Sequence, residues 1–281
     1  MDKNKKYDNI LLAPNLTDKS LVSKVLGQDH LGEMTNLSVI EERPLSIFLN
    51  SQEIVTAMTI GDYPEYLALG FLKNQNLLKS DDEITGIDYD DDVRTVVVRT
   101  KKETNYEQKL KRKIRTSGCA VGTVFGDMME SVEEVNLPYS KVRTSWLYDL
   151  TREINQMKSL YLEVGAIHGT VLCRENKALV YMEDVGRHNA VDKVAGWMIS
   201  RKTTGKDKIL YTTGRLTSEM VVKCANMGIP VLVSRSGFTA WGVELAKLTG
   251  MTLIGRLRGK RFICLSGANR LIYDVDIGIK E

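Results

Sequence analysis

Predicted strands and helices alternate along the second half of the chain, and this alternation constrains the fold more than any other feature. A predicted helix over 144–161 precedes two strands, GAIHGTVLCR and ALVYMEDV, which are joined by a short polar turn. Strand–helix units follow, each with a helix of about three turns, which is typical of parallel strands with helices packed on the sheet faces. Because the first two strands form a hairpin, we predict an α/β domain with a mixed sheet over 140–281.

The first half of the chain is predicted to form a smaller α+β domain over 31–113. Residues 37–60 read as two or three strands with a turn at Asn50. A helix then begins with Pro64 in its first turn, and 84–100 reads as a hairpin around an acidic turn.

Two segments lie outside these domains. Residues 1–30 are polar and lack periodicity, so we expect a mobile tail or an arm lying on the surface. Residues 114–139, which join the two domains, are predicted to form a mobile cysteine loop and a short helix.

Composition limits the classes of partner and compartment. The 281 residues include 39 Lys and Arg against 36 Asp and Glu, so the overall charge does not favour a protein that wraps a polyanion. Aromatic residues make up only 7% of the chain and are not interleaved with basic ones, so we expect no nucleic-acid partner. The polar N-terminus and the lack of a long apolar run predict a cytoplasmic protein that does not enter the membrane.

Cys119 is the cysteine best suited to chemistry. Cysteines 119, 173, 224 and 264 show no CxxC pattern, which disfavours a disulfide framework and a cysteine-built zinc site. Cys119 lies in RTSGCAVGT, between the cationic run KLKRKIR and a predicted helix, and both neighbours favour its thiolate. The alternative is a small buried residue, which is how we interpret the other three cysteines.

Three loops at predicted strand ends are rich in arginine and glycine: TTGRLTSE, SRSGFTAWG and GRLRGKRF. Open α/β sheets bind ligands beyond the carboxyl ends of their strands. Thr217 or Ser218 in the first loop and Thr239 in the second are placed to cap a helix, which would leave backbone N–H groups beside an arginine. We therefore predict a phosphate-binding site. Its candidate residues are Arg215, Arg235, Arg256, Arg258, Lys260 and Arg261, with Gly259 permitting a tight turn.

The segment MEDVGRHNAVDKV gathers charged side chains at the start of a predicted helix. Asn189 is placed to cap that helix, with Asp192 at its third position. His188 and the acidic residues before it crowd the same helix end, either as part of a site or as a turn held by internal ion pairs. His168 follows an apolar strand segment and reads either as a core histidine or as a site residue.

These segments resemble the formate dehydrogenase accessory sulfurtransferase family (FdhD). The resemblance rests on RTSGCAVGT, GAIHGTVLC, EDVGRHNAVDKVAGW and the run from TTGRLTSEM to GRLRGKRF, with ERPLSIFLN and YLALGFL earlier in the chain. It covers about residues 36–272, in order and with natural spacing. The most specific part is EDVGRHN with the downstream DK.

The resemblance implies a sulfur carrier. Such a protein accepts sulfane sulfur from a cysteine desulfurase as a persulfide. It passes the sulfur to the molybdenum or tungsten bis-pterin guanine dinucleotide cofactor before that cofactor enters formate dehydrogenase. The implied fold is a cytidine-deaminase-like three-layer α/β/α mixed sheet with a smaller N-terminal α+β part, usually as a homodimer.

Matching positions imply roles for individual residues. Cys119 falls on the persulfide cysteine, and 256–261 fall on the stretch assigned to guanine dinucleotide binding. The cofactor is a bound substrate, and we expect the protein to hold no cofactor or metal of its own. The cofactor-binding residues expected on this basis are Arg256, Leu257, Arg258, Gly259, Lys260, Arg261, Arg215, Arg235 and His188.

One position departs from the family pattern. The family commonly shows SCGVCG in this loop, whereas here Cys119 stands at the first cysteine and Gly122 at the second. A mechanism with two loop thiols cannot operate unmodified, but a one-thiol carrier can, because the acceptor metal or an external thiol can resolve the persulfide. Two alternatives stay open. One is a non-catalytic chaperone that binds the cofactor for formate dehydrogenase, and the other is a nucleobase deaminase, whose HxE and PCxxC zinc pattern the sequence lacks.

Overall fold

The amino-terminal part forms two small sheets beside one helix, in a computed structural model that describes residues 10–79, 81–101, 132 and 135–276. Its elements are β1 (Val22–Gln28), β2 (Met34–Ile40), β3 (Arg43–Leu49), β4 (Gln52–Thr59), α1 (Pro64–Asn74), β5 (Ile84–Asp90) and β6 (Thr95–Thr100). Strands β3 to β6 form a sheet in the order β4-β3-β6-β5, and apolar side chains of α1 pack with those of β3 and β6. The predicted strands, helix and hairpin are confirmed.

The carboxyl-terminal part is built on a six-stranded sheet in the order β13-β12-β11-β10-β8-β9. Its elements are β7 (Val142–Arg143), α2 (Thr144–Gln156), α3 (Leu160–Val164), β8 (His168–Arg174), β9 (Lys177–Asp184), α4 (Arg187–Ser200), β10 (Ile209–Thr212), α5 (Ser218–Asn226), β11 (Val231–Ser234), α6 (Ala240–Leu248), β12 (Thr252–Arg258), β13 (Arg261–Ser266) and β14 (Leu271–Ile272). Strands β10, β11 and β12 are parallel, whereas β8, β9 and β13 are antiparallel to their neighbours. The predicted mixed α/β sheet is confirmed.

Helices cover both faces of this sheet, because successive strand residues point to opposite sides. Val171 and Cys173 of β8 belong to an apolar cluster with α2, while Leu172 belongs to a cluster with α4, α5 and α6. The result is a layered α/β/α arrangement, and its likeness to cytidine deaminases stays a prediction. No helix in the described ranges is long and apolar enough to cross a membrane.

The segment expected to be a tail includes ordered structure where it is described. Strands β1 and β2 form an antiparallel hairpin, so the predicted boundary at residue 31 falls inside that hairpin. Upstream, Leu11 N donates to Leu179 O at 2.8 Å, and Tyr181 N donates to Leu12 O at 2.9 Å. Residues 10–21 therefore form an arm, one of the two predicted alternatives, and its Leu11 and Leu12 lie along the outer edge of β9.

Helices α1 and α4 join the two parts of the molecule through two glycines. A Cβ on Gly70 would lie 1.7 Å from the backbone oxygen of Asp192, and a Cβ on Gly196 would lie 1.9 Å from that of Tyr66. Only glycine allows such a close approach of two backbones. The amino-terminal helix is therefore packed against the helix that begins at the EDVGRHN segment.

Candidate functional site

Three loops meet at one edge of the sheet, where β10, β11 and β12 end. Leu216 N donates to Gly237 O at 2.9 Å and Thr239 N donates to Leu216 O at 3.0 Å, which joins the first two loops. Arg256 N donates to Ser236 O at 2.8 Å, which joins the second loop to β12. The loops are therefore neighbours at the edge where open α/β sheets bind their ligands.

A cleft of about 480 Å³ opens beside the second loop and the end of β12. Its lining residues are Arg235, Ser236, Gly237, Arg256, Arg258, Arg261, Phe262 and Ile263. Four of these are arginines and none is acidic. Each guanidinium is a planar fork of N–H donors that matches phosphate oxygens, so the cleft suits a ligand with several anionic groups.

The third loop is a hairpin of β12 and β13 with a tight turn. Gly259 at the turn has a φ of 59°, as its predicted role requires. Arg256 also has a positive φ, 55°, which is uncommon for a residue with a side chain. The strand register shifts between Gly255 and Arg258, so this strained residue lies in a β-bulge beside the cleft. Bulges and backbone strain of this kind are concentrated at binding sites.

Several predicted residues lie around the cleft rather than in its wall. Leu257 is only 1% exposed and its side chain packs in the core under the sheet. Gly259 and Lys260 form the exposed turn. Arg215 is exposed on the first loop, outside the cleft lining. The structure thus brings together Arg235, Arg256, Arg258 and Arg261 from the predicted set.

His168 lies at the start of β8, beside the first loop. Its Nδ1 is 3.3 Å from Thr213 Oγ1, which also accepts a hydrogen bond from Gly169 N at 3.1 Å. Burial lowers the pKa of His168, and the positive charges of Arg187 and Arg215 lower it further. The imidazole is therefore neutral at pH 7, half-buried at the edge of the site.

His188 is buried close to the first loop. Its Nε2 lies 3.3 Å from Glu219 Oε2 in the first turn of α5. Burial lowers the pKa of His188 to about 2, and the charges of Lys223 and Arg187 act in the same direction. The imidazole is therefore neutral, and its contact with Glu219 is not an ion pair. The cofactor-binding role expected for His188 stays a prediction.

Asn189 does not cap α4, which corrects the sequence-based prediction. The helix begins two residues earlier, at Arg187, with Gly186 as its cap residue. Asn189 Nδ2 donates to Asp184 Oδ1 at 2.9 Å and to Met58 O at 2.8 Å. Gly186 N also donates to Asp184 Oδ1, at 3.1 Å. The turn is therefore organised by the Asp184 carboxylate instead of an asparagine cap.

Lys193 extends this buried network into the amino-terminal part. Its Nζ lies 2.5 Å from Asp62 Oδ1 and 2.6 Å from Asp184 Oδ2. Burial opposes its charge, but Asp184 and Asp62 together raise the pKa of Lys193. The residue before it, Asp192, pairs with buried Lys223 at 2.5 Å. Internal ion pairs therefore account for the acidic and basic residues of the DK segment.

Tyr161 supports the cleft wall and was missed by sequence reasoning. The Cζ atom of Arg235 lies 5.6 Å from the centroid of its ring, within the range of a cation–π contact. Tyr161 N donates to Glu183 Oε1 at 2.9 Å. The sequence predicts one helix over 144–161, which would place Tyr161 at its last position. In the structure α2 ends at Gln156 and Tyr161 belongs to the separate helix α3, which begins at Leu160.

A comparison with protein-family models matches residues 40–272, which include both the arginine cleft and the Cys119 loop, to the FdhD/NarQ family. The chain belongs to this family. Among its relatives are proteins named sulfur carrier protein FdhD. The one from Listeria monocytogenes serotype 4b is 28% identical over 242 residues, which cover 83% of this chain and 91% of that protein. The one from Bacillus subtilis is 26% identical over 252 residues, which cover 88% and 96%.

A solved structure extends this similarity to the fold. It is a crystal structure assigned to a formate dehydrogenase accessory protein from Desulfotalea psychrophila, with a TM-score of 0.73 and 29% identity. The match covers 89% of this chain and 98% of that one. The two parts of the FdhD/NarQ chain described above are therefore both included in the shared fold.

The cysteine of interest in this FdhD/NarQ chain, Cys119, lies outside the described residues, as do the cationic run before it and the helix predicted after it. Cys173 and Cys224 are buried core residues, as predicted, and burial raises the pKa of both thiols. Cys264 is half-buried, and burial raises its pKa as well. These three thiols are therefore protonated at neutral pH. Among the described residues, no three His, Cys, Asp or Glu side chains are grouped to hold a metal ion.

Proposed function

We propose that this protein is a sulfur carrier that acts for formate dehydrogenase. The observation that carries the proposal is the family match over 40–272, together with curated relatives named sulfur carrier proteins along most of the chain. The structural neighbour, a formate dehydrogenase accessory protein, supports the same client. The finer proposal names a cysteine desulfurase as donor and the molybdenum or tungsten bis-pterin guanine dinucleotide as acceptor.

Cys119 is the proposed carrier of the sulfur atom. Its thiolate attacks the outer sulfur of the donor's persulfide, so that an S–S bond forms at Cys119 while the donor's S–S bond breaks. The donor leaves as a thiolate, and the step has no net oxidation or reduction. The cations of 109–115 favour the attacking thiolate.

In the proposed delivery step an external thiol resolves the persulfide, because Gly122 stands where a second loop cysteine would otherwise do so. An external thiol attacks the Cys119 sulfur and forms a mixed disulfide. The outer sulfur then leaves as hydrosulfide, with the two electrons supplied by that external thiol. The hydrosulfide becomes a ligand of the cofactor metal, which is the substrate of this step.

The arginine cleft is the proposed place for that substrate. A bis-pterin guanine dinucleotide carries pyrophosphate groups, and each phosphate offers oxygens to the forked N–H donors of arginine. Arg235, Arg256, Arg258 and Arg261 converge on one cleft, and none of the lining residues that the structure describes is acidic. This convergence supports the binding of the cofactor to the cleft. A chaperone that binds the cofactor without transferring sulfur would use the same cleft, so the cleft does not distinguish the two functions.

Sulfur loading distinguishes a carrier from such a chaperone. The full chain is incubated with a cysteine desulfurase and ³⁵S-cysteine and then analysed by intact mass. We expect one sulfur atom, about 32 Da, on Cys119. Cys119→Ala should lose the label, while the control Cys264→Ala should keep it because that thiol is half-buried. Wild-type protein that binds cofactor but takes up no sulfur would support the chaperone, and full maturation of formate dehydrogenase by Cys119→Ala would exclude the carrier.

Nucleotide binding tests the cleft. Calorimetry with GDP should show that Arg258→Ala binds about 10- to 100-fold more weakly, since a hydrogen bond to a charged group contributes about 1.5–3 kcal/mol. Arg152→Ala is the matched control, because Arg152 is an exposed arginine of α2 that pairs with Asp149. Equal affinity of both variants and wild type would place the nucleotide elsewhere.

A further inference from the structure

Glu183 is a fully buried carboxylate that lies outside the cleft. Its Oε2 accepts a hydrogen bond from Leu160 N at 2.8 Å, and its Oε1 accepts one from Tyr161 N at 2.9 Å. The hydroxyl of Tyr181 also donates to Oε1, at 3.2 Å. Both oxygens of a strand residue are therefore used to hold the first residues of α3.

The first residues of α3 in turn support the arginine cleft. The ring of Tyr161 lies under the guanidinium of Arg235, with 5.6 Å between Cζ and the ring centroid. Arg235 is half-buried and lines the cleft. A continuous set of contacts therefore runs from the Glu183 carboxylate through the Tyr161 backbone and ring to the Arg235 guanidinium.

We infer that Glu183 is a positioning residue of the cleft, which holds Tyr161 so that its ring fixes the Arg235 guanidinium toward an anionic ligand. This inference rests on the proposed function for the nature of that ligand, a guanine dinucleotide. Glu183 does not touch the ligand itself. It acts by reducing the freedom of Arg235, and a donor that is already oriented loses less entropy when the ligand binds.

A carboxylate suits this position better than its amide. Two backbone N–H groups point at the side chain from α3, and only a carboxylate presents an acceptor oxygen to each of them. A glutamine places one oxygen and one NH₂ group there, so that one backbone N–H faces another donor. One of the two acceptor oxygens is also lost when Glu183 is protonated, because that oxygen then carries the hydrogen.

The surroundings of Glu183 set the pH at which this happens. Burial raises the pKa of Glu183 to about 7, against the hydrogen bonds from Tyr161, Leu160 and Tyr181, and the charge of Asp62 raises it further. Lys193 of α4 also faces this residue, since its Nζ donates to the backbone oxygen of Glu183 at 3.0 Å. The carboxylate form dominates above about pH 7, so the cleft should bind its ligand less tightly as the pH falls through that value.

The test measures binding of diguanosine pyrophosphate, whose phosphates keep the same charge between pH 6 and pH 8. Calorimetry is carried out on wild type, Glu183→Gln and Tyr161→Leu. At pH 8 both variants should bind the ligand about threefold more weakly than wild type, or weaker still, because the cation–π contact is lost. Wild-type affinity should fall between pH 8 and pH 6, whereas Glu183→Gln should show no such fall. Glu163→Gln, an exposed glutamate of the same short helix, is the matched control and should behave as wild type.

Two negative results have different meanings. If wild type binds and Glu183→Gln binds equally well with the same pH profile, the positioning role is wrong and the proposed function stands. If folded wild type does not bind diguanosine pyrophosphate, the proposed cofactor cleft fails and the positioning role fails with it. Should Glu183→Gln not fold, Tyr161→Leu at the half-buried ring still decides, since unchanged affinity in that variant excludes the contact with Arg235 as the link.

Discussion

Replacing Gly196 with alanine tests the contact that joins the two parts of the molecule. The new Cβ would lie 1.9 Å from the carbonyl oxygen of Tyr66 and 2.6 Å from its carbonyl carbon. These are backbone atoms, so no change of side-chain rotamer relieves the overlap. Helices α1 and α4 must separate by about 1.1 Å before the oxygen reaches 3.0 Å.

We expect this separation to lower the free energy of unfolding by about 2 kcal/mol. Overpacking a tight contact costs about 1–3 kcal/mol, and a backbone collision belongs at the upper end. Alanine in place of glycine inside a helix raises the free energy of unfolding by about 1 kcal/mol, because alanine has the higher helix propensity. Urea unfolding followed by circular dichroism measures the difference. Thermal unfolding should show a Tm lower by about 4–8 °C for a chain of this size.

Gly86→Ala is the control for this prediction. A Cβ on Gly86 in β5 would meet no atom within 4 Å, so its stability should stay within about 0.5 kcal/mol of wild type. The reasoning is refuted if Gly196→Ala is as stable as wild type or more stable. That result would mean that helix propensity outweighs the contact and that α1 moves away at no cost.

Buried and strained groups give three further tests. Burial raises the pKa of Glu183 from 4.5 to about 7, so between these pH values the folded state holds a proton that the unfolded chain releases. The free energy of unfolding should therefore fall by up to about 3 kcal/mol as the pH rises from 4.5 to about 7. Urea unfolding of Glu183→Gln should show no such fall. Arg256→Gly should stay within about 1 kcal/mol of wild type in the same assay, because glycine adopts the φ of 55° without strain, and a loss of more than about 2 kcal/mol would contradict this. Lys193→Met leaves Asp62 and Asp184 without their shared cation and should cost about 3–5 kcal/mol at pH 8. The loss should be smaller at lower pH, because burial raises the pKa of Asp62 and its protonation removes one uncompensated charge; an equal loss at both pH values in thermal unfolding would exclude the pairing.

The order of elements could be predicted because short continuous apolar runs alternate with longer helical segments in the carboxyl-terminal part. Strand β8 is such a run, since it is buried on both faces, with Leu172 on one side and Val171 on the other. Local signals failed where a longer-range contact decides the conformation. Asn189 has the right side chain for a cap, but its amide is used by Asp184 and Met58, which only the folded chain brings close.

The arginine cleft could be predicted in outline because parallel strands bring their carboxyl ends to one edge of a sheet. The side chain of Leu257 is buried, as the period of two already indicates, since it lies between outward-facing Arg256 and Arg258, and its cofactor-binding role stays a prediction. Tyr161 gave no such signal, and Glu183 was expected only as one of the acidic residues before His188, with no link to the cleft. Their relation to Arg235 depends on the chain leaving α2 and placing a short helix beside β9, which no local pattern specifies.

The arm of residues 10–21 closes the outer border of the sheet. Leu11 and Leu12 exchange backbone hydrogen bonds with β9, which would otherwise end the sheet with a row of unpaired N–H and C=O groups. Such borders pair readily with those of other molecules. A shortened version of the protein that starts at residue 40, where the family match begins, should therefore precipitate or form large aggregates during purification, and a version that keeps residue 10 onward should not.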